Sequence, residues 1–129
     1  SYGNTIDIFQ PEKSLRKQVM RIVTNPTPVE EPKDPDACTI YQIYRLFLTP
    51  EQDQQLRQRY AAGGLAYGDV KQELFITIRA YFAPYVAKRE QLLADPSYLR
   101  EVLDYGADRA RKAAQKYLRK VRKKAGLSY

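Results

Sequence analysis

The sequence has no histidine and a single cysteine, Cys38. Without histidine the chain cannot build a Ser-His-Asp triad, a Cys-His pair or a histidine-ligated metal site from its own residues. One cysteine closes neither an internal disulfide nor a structural zinc site, and this usage suits a reducing cytoplasm. Neither G-x-G-x-x-G nor G-x-x-x-x-G-K-[ST] occurs, so there is no self-contained nucleotide cradle. No apolar run approaches the roughly 18 residues that a membrane span requires, and no secretory signal is present. If the chain belongs to an enzyme, these absences place most of the chemistry elsewhere.

Its 129 residues suit one domain or a compact piece of a larger one. At 43% hydrophobic content it can bury a core. The net charge is +7, unevenly spread: residues 109–124 carry nine Lys or Arg and no Asp or Glu. The remaining residues hold 13 basic against 15 acidic side chains, so the basic character belongs to one segment.

Residues 1–10 read as a loop or short extended lead-in. The domain proper is expected at 11–129. Pro11 suits a first helical residue, and EKSLRKQVMRIV places Leu15, Val19, Ile22 and Val23 on one face, predicting a helix over about 11–23. A proline-rich connector follows at about 24–36, with almost no apolar content. ACTIYQIYRLFL then brings Ile40, Ile43, Tyr44, Phe47 and Leu48 to helical spacing, with Asp34 or Asp36 as the candidate cap. Thr49-Pro50-Glu51-Gln52 carries the signature of a capping box with a first-turn proline, and Gly63-Gly64 stops the helix it opens. A longer helix is predicted from about Tyr67 to Ala94, its buried stripe marked by Val70, Leu74, Ile78, Tyr81, Tyr85 and Leu92. Pro84 lies inside it and predicts a kink or break. Asp95-Pro96 restarts the chain in a last helix to about residue 124, where Leu103, Ala107, Ala110, Ala114, Tyr117 and Val121 form one narrow seam; Gly126 is its candidate C-cap. The fold class is therefore all-α: a bundle of about five helices, the last long and basic.

RARKAAQKYLRKVRKK is the stretch with the most functional content. With the seam facing inward, its cations cover the other faces, and such a surface attracts phosphate backbones. The alternative is a solvated terminal helix whose cations favour the negative end of its dipole. Of the eleven tyrosines, Tyr41, Tyr44, Tyr60, Tyr81, Tyr85 and Tyr117 lie on or beside apolar stripes, mostly as core residues with a polar tip; a minority could stack on unpaired bases. AGGLAYGDVK is glycine-rich but reads as a helix stop and tight turn. The acids Glu30, Glu31, Asp34 and Asp36 sit in the connector and are assigned no catalysis.

Five stretches, SYGNTIDIF, TPVEEPKDPD, YRLFL, AGGLAYGDVK and the run from YFAPYVAKREQLL to RKKAGL, together resemble the C-terminal third of bacterial tryptophanyl-tRNA synthetases, class I aminoacyl-tRNA synthetases. The resemblance covers nearly the whole chain and rests on the order and spacing of the stretches. It places Ser1 at the last position of the family's K-M-S-K-S signature, at the edge of the loop that positions ATP, so that residues 1–10 are the end of that loop and its lead-in. It implies that the helical region is the tRNA anticodon-binding domain and that its partner is the tRNA for tryptophan. On charge alone, the contact candidates are Arg109, Arg111, Lys112, Lys116, Arg119 and Arg122. The resemblance further implies that ATP with Mg2+ and L-tryptophan belong to the parent enzyme, with no cofactor or metal held in this chain. The chain alone is expected to be inactive, because the nucleotide-binding fold is not in it. The parent is expected to be a cytoplasmic homodimer, and this piece a monomer without membrane association. Two other readings stand beside this one: a stand-alone basic helical module that binds nucleic acid, and a structural helical domain with a solvated basic face.

Overall fold

A computed structural model describes residues 3–127, and these form five α-helices: α1 (Glu12–Met20), α2 (Thr39–Tyr44), α3 (Pro50–Ala62), α4 (Tyr67–Ala94) and α5 (Pro96–Lys124). A single 3-10 turn, Arg45–Phe47, extends α2. No strand occurs among the described residues, so the all-α expectation is met. The chain divides into two compact units between Val86 and Ala87.

The first unit holds the hydrophobic core. Leu15 and Val19 of α1, Ile40 and Tyr41 of α2, Leu56 and Tyr60 of α3, and Val70, Leu74, Phe75 and Ile78 of α4 are buried together with Cys38 and Leu65. The i, i+4 spacing of Leu15–Val19, Leu56–Tyr60 and Val70–Leu74–Ile78 brings one face of α1, α3 and α4 to a common centre. Polar groups inside the core are satisfied: the Tyr41 hydroxyl donates to Asp53, and Cys38 Sγ lies 3.4 Å from the Tyr60 hydroxyl. Burial raises the pKa of both tyrosines, first of all by desolvation.

The capping box that opens α3 is complete. Thr49 Oγ1 accepts from the Gln52 backbone N–H at 3.3 Å, and Gln52 Oε1 accepts from the Thr49 N–H at 2.9 Å. Gly63 ends the helix at φ +75°, where a Cβ would lie 2.4 Å from the Glu30 carbonyl oxygen. The connector is a loop, as expected, and it is pinned at this point. Lys33 is 5% exposed and donates from Nζ to the carbonyls of Pro28, Val29 and Glu31 at 2.7, 3.2 and 3.1 Å. Its backbone N–H donates to the Tyr60 carbonyl at 2.8 Å.

Several sequence expectations need correction. Val23 is 84% exposed, because α1 ends at Met20 and the chain has left the helical register by that point. Neither Asp34 nor Asp36 caps α2. Cys38 occupies the N-cap position, Asp34 accepts from the Asp36 backbone N–H at 2.8 Å in a tight turn, and Asp36 pairs with Arg57. On α4 the stripe is buried through Ile78, but Tyr81 and Tyr85 are exposed and Leu92 is half-buried. The Tyr81 and Tyr85 rings join Phe47 and Phe82 in a cluster with centroids 4.9–6.2 Å apart, edge-to-face except for the tilted Phe82–Tyr85 pair. Of the kink or break expected at Pro84, the break does not occur. The helix runs on to Ala94 with the proline inside it, since a proline removes one intrahelical hydrogen bond while the turns on either side can still close.

The second unit comprises the end of α4 and all of α5. No residue of α5 is buried, and the seam expected to face inward does not: Leu103, Tyr117 and Val121 are 72%, 66% and 60% exposed.

Candidate nucleic-acid interface

Helix α5 is a well-delimited rod. Asp95 caps its start, accepting from the Tyr98 backbone N–H at 3.0 Å and from the Ser97 hydroxyl, with Pro96 in the first turn. Those hydrogen bonds, led by the one from Ser97, hold the Asp95 carboxyl below its ordinary range. The C-terminal end closes in a Schellman motif. Gly126 adopts φ +71°, the Leu127 N–H donates to the Arg122 carbonyl at 2.8 Å, and the Gly126 N–H donates to the Lys123 carbonyl at 3.3 Å.

The charge of the molecule is concentrated here. Residues 1–86 carry ten basic and ten acidic side chains, whereas residues 87–129 carry twelve basic and five acidic ones, so the entire +7 lies in the second unit. In the first unit three arginines pair with carboxylates. Arg57 and Arg59 make two-pronged contacts with Asp36 and Glu73, and Arg79 reaches Glu12 at 2.7 Å. In α5, of the nine cations at 109–124, only Arg111 has a carboxylate in ion-pair reach among the described residues, Asp108 at 2.8 Å.

The six candidate residues are all exposed, but the helix does not bring all six together. At about 100° per residue, Arg109, Lys112, Lys116 and Arg119 share the face opposite the seam, and Arg111 and Arg122 fall on one flank. Lys123 belongs in the middle of the four-residue face and was missed. Its position seven residues after Lys116 was legible in the sequence, but ranking by charge alone ignored helical phase. From Arg109 to Lys123 the cationic row extends about 21 Å along the axis. One aromatic ring accompanies it, the Arg109 guanidinium lying 5.8 Å from the Tyr105 ring centroid, while off the row Lys120 Nζ lies 5.9 Å from the ring centroid of the seam residue Tyr117. Arg122, Lys123 and Lys124 also occupy the last turn, where positive charge favours the helix dipole.

Ser1, the expected edge of the ATP loop, lies outside the described residues. Among the described residues no cluster of His, Cys, Asp or Glu could hold a metal ion, and no helix is long and apolar enough to cross a membrane.

No protein-family profile matches the chain. Individual proteins do. It is 46% identical over 127 residues to the tryptophan–tRNA ligase of Campylobacter jejuni, an alignment that takes in 98% of this chain and 40% of that protein. The tryptophan–tRNA ligases of Rhodopirellula baltica and Fusobacterium nucleatum are 42% and 41% identical over the same share of the chain, of which it covers 40% and 39%. Among solved structures, the Campylobacter jejuni tryptophanyl-tRNA synthetase complexed with ADP and tryptophan matches with a TM-score of 0.91 at 46% identity, over 98% of this chain and 40% of that one. The chain thus spans about 40% of the length of these curated relatives.

Proposed function

We propose that this chain, which resembles the C-terminal portion of bacterial tryptophan–tRNA ligases, is the tRNA-contacting, anticodon-recognising part of such an enzyme. One observation carries this reading. All of the net charge lies on the unit that contains α5, and eight of the nine cations at 109–124 have no carboxylate partner among the described residues. A row of unpaired cations on one helix face suits a phosphate backbone, whose neutralisation releases counterions. In the intact ligase the partners are the tRNA for tryptophan, L-tryptophan and ATP with Mg2+, and the ligase attaches the amino acid to its tRNA in the cytoplasm as a homodimer formed through its catalytic half. This chain by itself does not aminoacylate tRNA and is largely monomeric.

The cationic row positions the RNA, and base recognition belongs to groups that can stack or hydrogen-bond with unpaired bases. Titration of the chain with tRNA for tryptophan and with an unrelated tRNA across a salt series tests this. Log affinity is expected to fall linearly with log salt. Changing Lys112, Lys116 or Arg119 to Gln should lower affinity for both RNAs and reduce the salt slope by about one phosphate contact each. Absence of binding by a chain shown to be helical would leave the row as a solvated face.

A further inference from the structure

The cationic face of α5 repeats from Arg109 at spacings of 3, 4, 3 and 4 through Lys112, Lys116, Arg119 and Lys123. One step of four toward the N-terminus, the same alternation reaches Tyr105. That ring stands at the head of the row, about 6 Å along the axis from Arg109. It is 66% exposed, on a helix that buries no residue, so it is not part of the core. The Arg109 guanidinium lies 5.8 Å from its centroid. We propose that Tyr105 stacks on an unpaired base of the RNA whose phosphates follow the row from Arg109 to Lys123. This rests on the function proposed above and adds to it a residue that meets a base.

The distribution of charge marks the place. Residues 96–108 carry Arg100 against Glu101, Asp104 and Asp108, a net of −2, whereas residues 109–124 carry +9. A phosphate chain is attracted as far as Arg109 and repelled beyond it. Tyr105 stands at that boundary, within one turn of both Glu101 and Asp108. A base carries no charge at neutral pH, so it is tolerated where a phosphate is not. Every base offers a π-face to an aromatic ring, and a guanidinium beside the ring adds to the attraction.

The other exposed tyrosines are less well placed. Tyr81 and Tyr85 belong to the aromatic cluster of the first unit. Tyr117 lies on the seam, away from the row. Tyr98 shares the face of Tyr105 but lies about 16 Å along the axis from Arg109.

Titration of Tyr105→Ala, Tyr105→Phe and Tyr117→Ala chains with tRNA for tryptophan and with a fully paired RNA duplex, across one salt series, tests the stacking. Alanine is the best helix former, so helical circular dichroism should be unchanged. Tyr105→Ala should lower affinity for the tRNA by about 5- to 150-fold, the range found for losing one stacked base. Its affinity for the duplex, whose bases are paired, should stay that of the parent chain. Its salt slope should also be unchanged, because the ring neutralises no phosphate. Tyr105→Phe keeps the π-face and should bind as the parent does. So should Tyr117→Ala, since Tyr117 is 66% exposed like Tyr105 but lies off the row. A ring that only held Arg109 in place would give a different result: Tyr105→Ala would weaken binding to both RNAs and reduce the slope by about one phosphate contact. That result, an equal loss in Tyr117→Ala, or unchanged tRNA affinity in Tyr105→Ala would each overturn the stacking while leaving the cationic row as a phosphate surface. No RNA binding by the parent chain would overturn both readings.

Discussion

Lys33 holds the connector in place by donating to three backbone carbonyls at once, in a position that is almost fully enclosed. An ammonium has three protons, and each finds an acceptor, which is what allows the charge to be buried there. Tyr67 adds its ring at 5.4 Å from Nζ. Lys33→Met keeps most of the side-chain volume and removes every donor. It should destabilise the first unit by about 1–3 kcal/mol, because the three carbonyls lose their partner in a site closed to water; urea unfolding measures this. Gly63 is the second point of attachment. Its φ of +75° is strained for any L side chain, and the Glu30 carbonyl blocks a Cβ. Gly63→Ala should cost about 1–3 kcal/mol in the same assay, whereas Gly64→Ala, with open space around it, meets only the backbone strain of φ +76°. Neither anchor was legible beforehand. A lysine and four acids among prolines read as an ordinary polar loop, and no local pattern says that the loop closes on itself around the lysine amine.

At the scale of the element, local chemistry was readable and burial was not. The α3 capping box and the Asp95 and Gly126 ends of α5 stand where Thr49-Pro50-Glu51-Gln52, Asp95-Pro96 and Gly126 pointed, because a cap depends on residues within one turn of itself. Thr49→Ala should therefore cost about 1 kcal/mol. The inward face of α5 was misjudged for the converse reason: helical spacing shows that a seam exists but not that anything covers it. The stripe of α4 shows the same limit, buried at Val70, Leu74 and Ile78 and exposed at Tyr81 and Tyr85 with no change in periodicity. The α5 cap also predicts a pH dependence. The folded carboxyl of Asp95 titrates below its ordinary 3.8, so its contribution is fully present above that value and is lost as the pH falls through the lower, folded one. Helical circular dichroism of the chain should fall more in acid than that of Asp95→Asn, since asparagine caps about as well and does not titrate. Equal acid losses would show that the cap does not govern the start of α5.

Across the whole molecule, apolar burial and net charge are separated. The first unit has the core and no net charge, while the second has all of the charge and no fully buried residue. The sequence already located the charge and, through its ordered stretches, the family resemblance. Four of the six candidate contacts, Arg109, Lys112, Lys116 and Arg119, share a face, and the other two lie off it, a distinction that charge counting could not make. The most direct measurement is the salt dependence of binding to tRNA for tryptophan by the chain and by its Lys112→Gln/Lys116→Gln/Arg119→Gln variant. A steep slope in the parent chain, shallower by about three phosphate contacts in the variant, is the predicted result. Identical slopes in the two, or no binding by either while both remain helical, would contradict it.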